Sequence, residues 1–396
     1  MLDLLLKGGL FFDGTGAPPQ RADIAIADGK LTRIAANIDQ PARETRDVAG
    51  LWIAPGFVDI HTHYDVEVEI APGLAESVRH GVTSVVMGNC SLSLTTGEPQ
   101  ALADIFLRVE NLPSPLVRKW LTEAISWGSP QAYLDHLRTL PLGPNLAPLL
   151  GHSALRAQVM GLQRSLHARA SDDELAAMRA LAVAALDAGC FGISIDMVHW
   201  HKVSGAYAGR SVPSHYADAR EYRMLAEVCR ERDAVFQATP NPQNPLSFLL
   251  ILAMSVGLFR PPLRATVLSA LDMADHPQLW RLFPIVTFVI NRLLGGNLRF
   301  QTLAEPFAIH ADGPITPLFE EFTTGVELNS CSDRAARRAL WASNGFKARF
   351  REDWERRELR TFHRDPARMQ VLASPRPEEV GRSVAEIAAS RGIDAT

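Results

Sequence analysis

The stretch Ala54-Pro55-Gly56-Phe57-Val58-Asp59-Ile60-His61-Thr62-His63-Tyr64-Asp65 decides how the rest of the chain is read. Pro55-Gly56 punctuates the start of a short apolar run, and two histidines stand two residues apart at its end. Alternate residues of a strand share a face, so a strand over Ile53 to Ile60 projects both imidazoles together from its carboxyl end. Two such imidazoles, joined by a carboxylate or thiolate from elsewhere, suit a zinc-like divalent ion. The plainer reading is a pair of polar loop residues in a chain that holds 12 histidines.

Outward from this stretch, strands alternate with helical patterns, as in parallel βα units. Val82 to Met87 reads as a second strand, followed by Gly88-Asn89-Cys90. Leu146 to Leu150, Cys190 to Ile195, Ala234 to Thr239, Arg264 to Ser269 and Leu298 to Leu303 come next as strands three to seven. Ser171 to Ala188 is the clearest helix: Ser171 and Glu174 form a capping box, and Leu175, Met178, Leu181, Ala182 and Leu186 recur at helical spacing. The expected class is α/β, a TIM-like (β/α) barrel whose chemistry lies at the carboxyl ends of its strands. His61, His63, Cys90, His152 and Asp196 all fall at such ends.

Residues 1–55 read as a separate small β-sheet domain and 56–396 as the barrel. Short runs at Leu4 to Leu6, Leu10 to Phe12, Ile24 to Ala27 and Leu31 to Ile34 are divided by glycine-rich turns, and Asp28-Gly29 is a hairpin signal.

Composition bounds the function. The 396 residues are 47% hydrophobic and 21% charged with a formal charge of −4, an ordinary globular balance that offers no footprint for nucleic acid. Four scattered cysteines argue against a disulfide framework, and the start lacks the basic region of a signal peptide, so the cytoplasm is the expected compartment. The most apolar window, Leu246 to Phe259, is shorter than the roughly 20 residues that span a membrane and reads as a buried helix. No P-loop, dinucleotide fingerprint or nucleophile elbow occurs.

Phe57 to Asp65 followed by Gly81-Val82-Thr83-Ser84-Val85-Val86-Met87-Gly88-Asn89-Cys90 resembles the N-acyl-D-amino-acid deacylase branch of the amidohydrolase superfamily. Gly8-Gly9, Asp13-Gly14-Thr15-Gly16, Ser126-Trp127-Gly128, Gly151 to Arg156 and Gly192-Ile193-Ser194 match more weakly, and the resemblance fades after about residue 240. It implies a metal-dependent hydrolase of a non-peptide C–N bond in a linear, N-acyl amino acid-like small molecule. It implies one or two zinc ions on His61, His63 and Cys90, the cysteine standing where other amidohydrolases use a modified lysine. A small buried hydrophobe is the alternative task for Cys90.

His152 and Arg156 fall in a matched stretch and are candidates to face substrate, His152 being equally suited to bond a local carbonyl. His201, in His199-Trp200-His201, is a candidate for a substrate loop. Asp65 shares the face of the two histidines and is placed to orient a ligand imidazole, or else to cap the helix or loop after it.

Three departures qualify the resemblance. The deacylase branch places metal-binding histidines at the ends of strands five and six, where this chain has Phe236-Gln237-Ala238-Thr239 and Val267-Leu268-Ser269. The lysine that follows the strand-six histidine is missing too. The segment bearing the catalytic aspartate has no counterpart, so the chain reads as truncated before the eighth strand, with its catalytic residue unassigned. Two alternatives result: a catalytically impaired or fragmentary homologue, or a cyclic amidohydrolase or deaminase of the same superfamily. Oligomeric state is not legible.

Overall fold

The computed structural model describes residues 1–110, 112, 114–271, 278–303, 308–311, 316–331, 333–356 and 360–395. The chain forms two compact units. The first is Met1–Asp59 with Ala75–Ser84 and Gly143–Asn145, and the second is Ile60–Leu74, Val85–Leu142 and Leu146–Thr396.

The first unit is built on a five-stranded sheet. β1 (Leu2–Phe11), β2 (Gln20–Ala27), β3 (Lys30–Ala35) and β4 (Ala42–Asp47) lie in the order β3-β2-β1-β4, and β5 (Trp52–Ile53) pairs with β1. Asp28 and Gly29 connect β2 to β3 with φ of 51° and 69°, the left-handed pair that a two-residue hairpin turn requires. Gly8-Gly9, read as a break, is not one: β1 runs through it. The register slips between Leu6 and Gly9, and Gly8 takes φ 75°, so the glycines form a bulge that bends one strand instead of ending it. Leu2, Leu5, Ala25 and Ile38 make the small core. The buried Asp23 carboxylate accepts from Gly8 N and Ile38 N, both at 2.9 Å, and meets Lys7 Nζ at 3.1 Å.

A seven-stranded parallel sheet carries the site. Its strands are β6 (Phe57–Asp59), β7 (Val82–Met87), β8 (Asn145–Gly151), β9 (Gly192–Asp196), β10 (Val235–Thr239), β11 (Arg264–Leu268) and β12 (Asn297–Gln301). They lie in strict chain order, the winding of a (β/α) barrel. The first expected strand, Ile53 to Ile60, is two: Ile53 belongs to β5 in the other sheet, and β6 starts only after Pro55-Gly56. Proline has no N–H to give a ladder, which is the reason for the division.

Helices fill the crossovers. Asp172–Ala188 begins with the reciprocal Ser171–Glu174 capping box and ends at Gly189, φ 118°. The apolar window forms a helix over Pro245–Ser255; it is half in the core, with Ile251 and Met254 buried and Leu246 and Leu249 exposed. Met87, Leu150, Ile193, Ile195, Phe236, Ala238, Val267 and Leu298 belong to the central core. A second cluster, Phe322, Leu328, Phe346, Phe350 and Trp354, knits the later helices.

Candidate metal centre

Two segments at strand ends make the centre. β6 stops at Asp59, so His61 and His63 stand in the extended chain beyond the strand and not within it. Thr62, between them, turns inward: its N and Oγ1 donate to Val86 O at 3.0 and 2.9 Å. That anchor to β7 leaves the flanking imidazoles pointing the other way, which gives the alternation expected of a strand without a strand being present. The rings meet edge-on with centroids 5.2 Å apart.

The second segment is the turn after β7. Gly88 has φ 81°, and a Cβ there would lie 2.5 Å from Leu149 O, so only glycine fits. Cys90 and Ser91 follow with φ of 52° and 64°, a left-handed pair that side-chain-bearing residues adopt only when neighbours hold them. The holders are identifiable. Cys90 N donates to Gln237 Oε1 at 2.9 Å and Ser91 N to Ser194 Oγ at 3.0 Å, while Asn89 Nδ2 reaches Val86 O and Thr62 O at 3.0 and 3.3 Å. Asn89 thus ties the cysteine turn to the histidine segment.

Asp65 completes the frame. The sequence leaves it two tasks, orienting a ligand imidazole or capping the segment that follows; here its carboxylate accepts from Gly88 N at 2.9 Å and Leu94 N at 3.4 Å, which braces the backbone on either side of Cys90. Burial pushes its carboxyl up to about 7 against the pull of those N–H groups.

The result is a convergence of His61, His63 and Cys90, whose ligand atoms all lie within 4.8 Å of one another. Cys90 Sγ is 3.3 Å from His61 Nε2. Two imidazoles and a thiol at such spacing form a zinc-type donor set. The electrostatics agree: burial pulls the His63 imidazolium down, yet the Glu110 carboxylate and the Cys90 sulfur outweigh it and raise its pKa. His63 Nδ1 is buried with no hydrogen-bond partner among the described residues. The Glu110 carboxylate and the Cys90 sulfur thus both face His63, and one ring nitrogen there is left unsatisfied.

The other candidates divide. His201 Nδ1 donates to the Asp196 carboxylate at the end of β9, and Asp196 is fully buried. Burial lowers the His201 pKa, but Asp196 and the more distant Cys90 and Glu110 charges raise it above its ordinary value, which places it in the electrostatic range of the cluster. A cleft lined by Arg108, Trp200, His201, Lys202 and Glu320 adjoins it, in which burial holds the Lys202 ammonium down to about 8.

His152 and Arg156, by contrast, are closed in. Both are 0% exposed, and Glu221 takes His152 Nε2 at 2.6 Å on one oxygen and Arg156 Nη1 on the other. His152 Nδ1 bonds Ser214 Oγ at 3.0 Å, and Arg156 Nη2 donates to Ala168 O at 2.8 Å. Every charged atom named here faces protein.

Asp196, Glu110, Gln237 and Gln301 were not among the site residues chosen from sequence. Asp196 and Gln301 are the last residues of their strands and Gln237 lies two residues before the end of β10, which is the available signal; Glu110 follows the helix Pro99–Val109 and carries none.

A chain-ordered parallel β/α sheet with its convergent side chains beyond the strand ends is the arrangement of a (β/α) barrel with a site at its carboxyl face. The amidohydrolase family model matches residues 44–231. It is 39% identical over 400 residues to an uncharacterized protein of Mycobacterium tuberculosis, covering 99% of this chain and 66% of that protein. It is 42% identical over 235 residues to the D-aminoacylase of Alcaligenes xylosoxydans xylosoxydans, covering 59% of this chain and 42% of the enzyme. The chain thus spans about two thirds or less of the relatives' own length. In fold it resembles N-acyl-D-glutamate deacylase from Bordetella bronchiseptica, solved with zinc and a phosphonate inhibitor, at TM-score 0.64 and 24% identity over all of this chain and 68% of that one. Among the described residues, no helix is long and apolar enough to cross a membrane.

Proposed function

We propose that this chain carries the metal centre of a hydrolase that cleaves the C–N bond of a linear amide, an N-acyl amino acid-like small molecule. The observation that carries the reading is the convergence of His61, His63 and Cys90. Zinc is the ion their chemistry fits best. When bound there, it supplies Lewis acidity and water activation.

The chain's own residues supply the rest. His201, oriented through Nδ1 by the buried Asp196, presents its other nitrogen as a proton carrier for the departing amine. The cleft beside it offers Lys202 and Arg108 to the negative end of an acyl amino acid, although Arg108 also pairs with Glu320 at 2.8 Å. Asp65, Asn89 and Gln237 hold the strained Cys90 turn in place. Sequence similarity to D-aminoacylase and to N-acyl-D-aspartate deacylase supports the substrate class. The unpaired cysteines support a reducing compartment.

A second reading is favoured by one observation. Gln237 and Thr239 lie in the last three residues of β10, the stretch where the resemblance to the deacylase branch implies a metal histidine, and both engage Cys90 instead. A metal-binding homologue without turnover fits that substitution. Elemental analysis of the purified chain, followed by assays on N-acetyl-D-amino acids with and without chelator, separates the two. Stoichiometric zinc with chelator-sensitive amine release supports hydrolysis. Metal without turnover on these supports the second reading, and absence of metal overturns both.

A further inference from the structure

The two histidines differ from an ordinary imidazole pair in what lies behind them. His61 turns Nε2 to the Cys90 sulfur at 3.3 Å and Nδ1 to Gln301 Oε1 at 2.6 Å. Gln301 sits at the end of β12 and is only 5% exposed. Its amide is itself oriented, because Nε2 donates to Thr266 Oγ1 at 3.1 Å on the neighbouring strand β11. With the amide nitrogen engaged there, the oxygen faces His61. An oxygen can only accept, so Nδ1 of His61 carries the proton and Nε2 offers its lone pair toward Cys90. His63 repeats the pattern more loosely: it interacts with the same sulfur, and its Nδ1 is 3.6 Å from Glu110 Oε1.

We infer that Gln301 is a positioning residue of the metal centre, fixing the tautomer and ring angle of His61 from the far end of the sheet, while the Glu110 carboxylate, beyond hydrogen-bond reach of His63, steadies that ring by charge alone. The inference rests on the metal reading above and adds to it the source of preorganisation. Residues behind metal-bound histidines raise ligand basicity and lock the ring, and their loss costs roughly 10–100-fold in metal affinity. The arrangement also gives strand seven a task. β12 meets the first-strand histidine through a side chain and not through backbone pairing, which ties the two ends of the seven-strand order at the site.

The test is zinc affinity of the full chain, measured by competition with a chromophoric chelator, and the absorption spectrum of the cobalt-substituted protein. Gln301→Leu weakens zinc binding roughly 10–100-fold and shifts the cobalt–thiolate charge-transfer and ligand-field bands. Gln301→Glu, which keeps an acceptor oxygen at the same reach, restores both to near the parent values. Glu110→Ala gives a smaller loss, and decides the matter should the leucine variant fail to fold by circular dichroism. If the parent chain binds no zinc, the metal reading itself is wrong. If the parent binds and both Gln301→Leu and Glu110→Ala bind equally well, or if Gln301→Glu fails to restore the spectrum, the positioning role is overturned and the metal reading stands.

Discussion

Replacing Arg156 by leucine tests the closed network around Glu221. The guanidinium is 0% exposed and pairs with Glu221, which is 1% exposed. Leucine leaves that carboxylate buried with His152 and Ser214-linked groups alone, and strips the Ala168 carbonyl of its donor at 2.8 Å. Removing one partner of a buried ion pair costs about 3–5 kcal/mol, because the remaining charge is uncompensated. Domains have about 5–15 kcal/mol in all, so the loss is about a fifth of the total or more. In urea unfolding followed by circular dichroism, with a slope of about 2–3 kcal/mol per molar, the midpoint falls by about 1–2 M. The double variant Arg156→Leu with Glu221→Leu removes both charges and recovers part of that loss. A single-variant loss under about 1 kcal/mol, or a double variant as poor as the sum of the two singles, would refute the account of a compensated buried charge.

The same network sets an acid limit. Burial holds the His152 pKa below its ordinary value, and His152 and Arg156 hold the Glu221 carboxyl below its own despite burial. Above about 6.5 neither folded nor unfolded His152 binds a proton, and its contribution is whole. As pH falls below that point the unfolded chain protonates first and stability declines, with Glu221 adding to the decline through the carboxylate range; melting temperatures from pH 8 to 4 check this. Gly88→Ala places a Cβ 2.5 Å from Leu149 O at φ 81°, and the expected result is a loss of about 1–3 kcal/mol together with reduced zinc occupancy. Ser171→Ala removes one half of a capping box and costs about 1 kcal/mol in denaturant unfolding, with zinc binding unchanged.

Local signals carried most of the fold. Alternation, turn residues and capping placed β7 to β12 to within a residue or two, because each rests on a period or on a backbone angle that neighbours in sequence dictate. They failed where the answer was not local. Gly8-Gly9 looks like a break, and only pairing with β2 turns it into a bulge; Ile53 looks continuous with Phe57, and only the partner strand assigns it to the other sheet. Likewise Cys90 was legible through its glycine and asparagine, whereas its left-handed φ and the Gln237 amide that sustains it belong to a contact across 147 positions.

Residue type and spacing singled out His61 and His63, and the resemblance to the deacylase branch added Cys90 to them. What the tertiary structure decided was how those donors are held. Asp65 braces a turn and not a ring, His152 and Arg156 are committed to Glu221, and His61 leans on Gln301, 240 residues away. The physical reason is that a side chain's identity limits the bonds it can make, while the choice among them depends on which buried partner the folded chain brings within reach.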